Sequence, residues 1–300
     1  MDTLANQTCP GRKSPKVTAE LISDPTIAYV GLMPSEVLGA HKQKWRHLLG
    51  EAVDFRPVRF DDDPRLVAGS RSAEYLLREC EPFSEVPATR VLMTGGNWEL
   101  TDPKDPLNAD QLPFSGIPFI GGMDSVMDWA DENAEQAFYV CLSAHRYVAR
   151  LAGRDYRQKG DKKTIGVFEH GIVAPQHPLM TGLESTKTLY APHARWCNLP
   201  SNVLEDCGIQ VLVEGEAGWL LAAQEKRTAA GKKAFVILSN GHLEYNPLDL
   251  SKECLRDRER GLKVDIPRGY EDPQNLPPST WKEPRAIIFD NVRHLNKLVA

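Results

Sequence analysis

Cys141 and His242 are the two residues of this chain whose types and settings could do chemistry together. Cys141 follows the apolar run 137–140 and precedes a helical stretch over 143–151. A cysteine at such a junction is held on a sharp turn at the carboxyl edge of a sheet, where open α/β folds bind ligands. The first-turn N–H groups of the helix, beginning with Leu142, then favour a thiolate and can hold an oxyanion. Taken alone, Cys141 is explained equally well as a small buried residue, the reading that suits the other five cysteines. His242 also follows an apolar strand, 234–238, with Gly241 before it and Glu244 two residues later. Alternation along an extended segment puts a residue and its second neighbour on one side. One ring nitrogen of His242 could then take the thiol proton while Glu244 holds the other. An isolated His-x-Glu is more often a solvated loop, and it is the matching strand-end position of Cys141 that favours the catalytic reading. Gly95-Gly96 ends a third strand and could supply a backbone donor, or could be an ordinary turn.

Arg256 and Arg195 are the candidates for gripping a substrate carboxylate, because a guanidinium meets it with two parallel hydrogen bonds. Each would otherwise be a plain surface arginine. His145, His170 and His193 lie on separate segments without metal-ligand spacing, so they read as structural or substrate-lining, and no metal is expected. Neither GxxxxGK[ST] nor GxGxxG occurs, so no nucleotide-binding loop is indicated.

The elements that must position these residues alternate in type. Strands are predicted at 27–32, at 53–60 (near a sheet edge because of Pro57) and at 90–94. Helices are predicted at 37–49, with Trp45, Leu48 and Leu49 on one side, and at 72–78. Residues 103–122 read as a long surface loop, and 123–133 as a helix with Val126, Met127 and Trp129 as its apolar side. Beyond the basic, polar segment 154–163, the segments GVFEHGIV, TLYAPH, IQVLVEG and WLLAAQ read as strands or hairpins. A helix is predicted at 249–260, a Pro-rich stretch at 267–284 and a last helix at 286–298. The pattern predicts an α/β fold: a mostly parallel open sheet flanked by helices. Residues 1–20 read as a flexible leader and 21–300 as one domain.

Hydrophobic residues at 41% and charged residues at 26% fit a folded globular protein. Thirty-six basic against 41 acidic residues leave a net charge of -5, too little positive charge for nucleic acid to be an expected partner. No apolar run approaches the roughly 20 residues of a membrane span. Six cysteines without a CxxC pair suit reduced thiols in the cytoplasm.

The order of GLMP (31–34), VLMTGG (91–96), FYVC (138–141), GVFEH (166–170), APHAR (191–195), NGHLEY (240–245), LRDRERGL (255–262), DIP (265–267) and DPQNLPPSTW (272–281) resembles that of the homoserine O-succinyltransferases. The resemblance runs from about residue 27 to the C-terminal helix. It implies a fold like the class I glutamine amidotransferases with added β-hairpins. It also implies ping-pong transfer of an acyl group from acyl-coenzyme A, a co-substrate rather than a bound cofactor, to the hydroxyl of homoserine for methionine biosynthesis. By the same resemblance Cys141 is the acyl-accepting nucleophile, His242 the general base and Glu244 its partner. Lys163 belongs to the active-site surroundings, and Arg256 holds the amino-acid carboxylate. Family members are commonly dimers, which leaves a homodimer open.

The chain departs from the family around the pockets. Ser35-Glu36 stands where a lysine is usual after Met-Pro, Leu142 to His145 replaces the usual W-x-x-Q after the cysteine, Ala194 replaces a serine and Leu243 a proline. Glu99 falls where the family has glycine with succinyl donors and glutamate with acetyl donors. A carboxylate there would repel the free carboxylate of succinyl-coenzyme A, so an acetyl donor is favoured. Rival readings are an acyltransferase for serine or another hydroxy amino acid, and a Cys-His-Glu glutaminase or hydrolase. The latter usually set the nucleophile between glycines, where this chain has Tyr139 and Ser143. A non-catalytic scaffold is the remaining alternative.

Overall fold

Short apolar runs alternating with amphipathic stretches build a layered α/β structure. The computed structural model describes residues 25–32, 35–66, 71–96, 112–270 and 280–298. The first half of the chain forms β1 (Thr26–Val30), α1 (Ser35–Leu49), β2 (Asp54–Arg59), α2 (Arg71–Glu79), β3 (Glu81–Pro82), β4 (Arg90–Met93), α3 (Ile120–Asn133), β5 (Gln136–Val140) and α4 (Leu142–Leu151). The second half forms β6 (Gln158–Ile172), β7 (Leu189–Asn198), α5 (Ser201–Asp206), β8 (Gln210–Gly215), β9 (Gly218–Arg227), β10 (Lys233–Ser239), α6 (Pro247–Glu259) and α7 (Lys282–Leu298).

These ten strands make one sheet in the order β3-β2-β1-β4-β5-β10-β9-β8-β6-β7. From β3 to β10 every pairing is parallel, and from β10 to β7 every pairing is antiparallel. The expected parallel sheet is therefore one part of a sheet extended by hairpins. Strand alternation sorts side chains to two faces. Ala28, Val30, Met93, Tyr139 and Leu238 pack with Val126 of α3 and Tyr147 of α4. Tyr29, Leu92, Phe138 and Ile237 face Trp45 of α1 and Phe289 of α7. Trp45 stands edge-on to Phe138 and Phe289, at centroid distances of 5.6 and 5.5 Å. A third cluster joins Leu250 and Cys254 of α6 to Ile165 and Trp196 of β6 and β7.

Three expectations are corrected. The segment read as a surface loop buries Phe114, Ile117 and Phe119, and α3 begins at Ile120. Apolar residues in a Pro/Gly-rich stretch were outvoted by their neighbours in the composition. The polar segment 158–163 is the start of the 15-residue β6. Its side chains are mostly exposed, so an apolar pattern could not announce it. The last helix begins at Lys282 rather than 286, because a proline in a first helical turn, here Pro284, removes no hydrogen bond the turn needs. The leader and residues 103–111 of the expected loop lie outside the described residues. Among the described residues, no helix is long and apolar enough to cross a membrane.

Candidate active site

Three parallel strands end side by side. Met93 of β4 pairs with Tyr139 of β5, and Val140 of β5 pairs with Ser239 of β10. The residues just past these ends, Gly95, Cys141 and the loop carrying His242, therefore gather at one sheet edge. Cys141 has φ 53° and ψ -110° and is the only non-glycine residue with positive φ among those described. Such a conformation costs on the order of 1–3 kcal/mol and persists only where its surroundings enforce it. Three hydrogen bonds do so without the flanking glycines of a usual elbow. The Cys141 N–H donates to Ser239 O at 2.7 Å. The Ser143 hydroxyl accepts from the Val140 N–H at 2.9 Å and donates to Met93 O at 2.8 Å.

A methyl group placed on Gly95 would lie 3.1 Å from Cys141 Cβ and 3.4 Å from His242 Cε1. The cysteine and the imidazole thus adjoin one point, close enough for the thiol to raise the ring's proton affinity. On the far side of the ring, His242 Nδ1 meets Glu244 Oε1 at 2.9 Å. The loop holding this pair is tied down by the His242 N–H donating to Pro192 O at 2.8 Å and by Trp281 Nε1 donating to Tyr245 O at 2.7 Å. All three triad members are buried. Burial alone would lower the proton affinity of His242, but the Glu244 carboxylate and the neighbouring Cys141 raise it well above the ordinary range. Burial would raise Glu244, yet His242 and His41 beside it bring its pKa down to about 2. Both shifts favour an imidazolium held by a carboxylate.

Leu142 opens α4, where first-turn N–H groups have no acceptor within the helix. A methyl on Gly96 would strike Leu142 Cδ2 at 2.8 Å. Gly95 and Gly96 therefore let the β4 end close on the cysteine, and their backbone lies beside the start of α4.

A cavity of about 350 Å³ adjoins the triad, lined by His41, Lys44, Tyr245, Asp249, Glu253 and Arg256 among others. Tyr245 stacks on His242 at 4.3 Å, so this cavity lies alongside the imidazole. Arg256, a third exposed, bonds Asp257 Oδ1 through Nε at 2.9 Å and Nη2 at 2.6 Å. Lys163 is buried behind it, with Nζ 2.6 Å from Glu253 Oε1 and 2.5 Å from Asp257 Oδ2. Arg256 therefore faces the cavity, while Lys163 fixes the acids that orient it. Arg195 does not join this group. It is buried between Asn198, Ala217 O and His193, at the turn between β8 and β9, where its guanidinium serves the fold. Glu99 lies outside the described residues.

His193 and His170 meet through their Nε2 atoms at 3.0 Å and stack at 4.9 Å. Burial and the Arg195 guanidinium hold His193 well below the ordinary histidine range. His145, one helical turn after Cys141, meets Asn240 Oδ1 at 2.8 Å through Nε2, and burial followed by Arg157 and Arg195 brings it down to about 3. Among the described residues no group of three or more His, Cys, Asp or Glu side chains is placed to hold a metal ion.

A family model for homoserine O-succinyltransferase matches residues 106–297, close to two thirds of the chain. The chain belongs to the homoserine O-succinyltransferase family. One relative is a homoserine O-succinyltransferase of Erwinia tasmaniensis, 26% identical over 287 residues that cover 93% of this chain and 85% of that protein. Solved structures share the fold at low identity. The crystal structure of SMU.1228c has a TM-score of 0.52 at 14% identity, covering 92% of this chain and all of that one. A glutamine amidotransferase from Thermotoga maritima has a TM-score of 0.51 at 14% identity, covering 91% of this chain and 98% of its own. The fold is thus the glutamine-amidotransferase-like one, and the family match rests on sequence.

Several residues of the site were not singled out from the sequence. His41 had a legible signal, since it stands four residues before Trp45 on the apolar side of α1, a polar interruption of a buried stripe. Glu253 and Asp257 share a face of α6 by their spacing of four. Tyr29 had none, because a tyrosine in an apolar strand is ordinary core.

Proposed function

We propose that the chain is a homoserine O-acyltransferase of methionine biosynthesis, acting in the cytoplasm through an acyl thioester on Cys141. The observation that carries the reading is the strained Cys141 elbow, with His242 and Glu244 converging on it at the ends of β5 and β10. The thiolate attacks the thioester carbonyl of acyl-coenzyme A. The resulting oxyanion is stabilised by the Leu142 N–H with the Gly95-Gly96 backbone, and coenzyme A leaves with the proton from His242. Acylation removes the sulfur's negative charge and with it part of what raised His242, so the imidazole is readier to act as a base. It takes the proton of the homoserine hydroxyl, which attacks the acyl sulfur ester. The homoserine carboxylate is held by Arg256 in the adjoining cavity. Glu99 favours an acetyl donor by excluding a second carboxylate.

Intact mass after incubation with acetyl- or succinyl-coenzyme A tests this directly. Wild type gains one acyl group that homoserine removes, and Cys141→Ala gains none. Equal labelling of both proteins would rule out the assigned nucleophile, and glutamine hydrolysis without acylation would favour the glutaminase reading. Loss of the Arg256 guanidinium should raise KM for homoserine about tenfold to a hundredfold, the value of a charge-assisted pair of hydrogen bonds. Arg256→Ala with an unchanged KM would remove Arg256 from the acceptor site.

A further inference from the structure

We propose that His41 is a positioning residue for the catalytic pair, held in place by Tyr29 and steadying Glu244 at the same carboxylate oxygen that His242 meets. The inference rests on the triad described above, though not on the identity of the acyl acceptor. His41 is buried on α1, with Nδ1 3.0 Å from the Tyr29 hydroxyl on β1. Its Nε2 points at Glu244, 3.6 Å from Oε1. Glu244 Oε1 is thus approached by two imidazoles, while its other oxygen, Oε2, is buried with no hydrogen-bond partner among the described residues. A carboxylate anchored through one oxygen only is free to rotate unless a second group restrains it. His41 is the side chain placed to do so.

Tyr29 sets the ring's tautomer. Burial, and after it the nearby Tyr75 and Glu244, keep the Tyr29 hydroxyl protonated far above neutral pH. Its O–H is thus available to donate to His41 Nδ1, the pairing that leaves an N–H on Nε2 to face the carboxylate. The ring is braced by Trp45, edge-on at 6.3 Å, so its orientation is fixed by α1 itself. The chain Tyr29–His41–Glu244–His242–Cys141 runs from the core of the sheet to the sulfur without a gap wider than 3.6 Å among its measured links. The groups facing Glu244 are His242 and Tyr245 from its own loop, His41 and Tyr29 from α1 and β1, and Arg285 from α7. Those facing His41 are Tyr29 and Glu244, with Lys44, Glu253 and Arg256 around the shared cavity.

The consequence is measurable without any substrate. Alkylation of Cys141 by iodoacetamide, followed by peptide mapping across pH, reports how well His242 draws the thiol proton. Wild type should react at neutral pH. His41→Ala and Tyr29→Phe should move the midpoint upward and slow alkylation at pH 7 by about tenfold, one pH unit of thiolate population. His41→Gln, which restores an N–H donor toward Glu244, should recover most of the rate. In turnover, Tyr29→Phe, which lies outside the cavity lining, should lower kcat and leave KM for both substrates unchanged. Profiles of folded Tyr29→Phe and His41→Gln that superimpose on wild type, with His41→Ala equally unaffected or unfolded, overturn the proposal. Glu244→Gln separates the two readings. If it shifts the profile and the His41 and Tyr29 variants do not, the positioning role fails alone. If it also leaves the profile unmoved, the triad itself fails.

Discussion

On one side of Gly241 lies His242, and on the other lie His193 and His170. A methyl on Gly241 would sit 3.0 Å from His193 Cε1, so the two groups are near neighbours in one buried region. Desolvation acts alike on both and disfavours a charged ring. The outcome differs because of what each ring meets next. His242 meets the Glu244 carboxylate and is raised, whereas burial and the guanidinium of Arg195 lower His193. Burial by itself therefore leaves a histidine neutral, and a carboxylate partner such as Glu244 reverses that. The comparison explains how one fold can hold a proton on the ring beside the sulfur and exclude one from a neighbouring buried ring.

Replacing the carboxylate is the strongest way to break this contrast. Glu244→Gln keeps the shape beside His242 and removes the charge, which should carry its proton affinity down toward that of His193. The expected loss in kcat is on the order of 10⁴-fold, by analogy with the carboxylate-to-amide change in a Ser-His-Asp triad. The limb of the pH–rate profile assigned to His242 should also move to lower pH. A loss below tenfold, with that limb unmoved, would mean that Glu244 neither orients nor charges the ring.

The sequence disclosed the two sides of this comparison unequally. Cys141, His242 and Glu244 were legible because each lies within a few residues of an apolar strand, and the alternation that locates strands locates their ends. The parallel strands and their helices were legible for the same reason. What the sequence could not disclose was pairing between distant segments. Nothing near Arg195 signals that it will be walled in by Ala217, Asn198 and His193, so by residue type it looked like a carboxylate ligand. Lys163 and the two acids of α6 meet across about 90 positions of sequence. Tyr29 and His41 are concealed by their helix and strand, whose apolar character is the stronger signal. The polar start of β6 was hidden for the opposite reason, since it has hardly any apolar face to show.

A smaller effect sharpens the comparison through stability. Burial lowers His145 to about 3 and His170 to about 4, and holds His193 well below the ordinary range. Each has a folded value below its unfolded one of about 6.5. The stability they contribute is complete above about pH 6.5 and is lost as pH falls toward the folded values, because the unfolded chain then binds protons the folded one refuses. His242 has the opposite sign, since its folded value is raised: its contribution is complete below about pH 6.5 and is lost only as pH rises through that folded value. Glu244 and Glu253, both at about 2, begin to cost stability only below the ordinary carboxylate range. Between pH 6.5 and 5 the neutral histidines therefore dominate, each at up to about 1.4 kcal/mol per pH unit. Urea midpoints should fall across that interval, and His145→Gln should flatten the fall by one histidine's share. Loss of His242 should leave the slope in that interval unchanged. A flat stability curve from pH 7 to 5 would mean that these rings take up protons in the fold, and the contrast across Gly241 would then vanish.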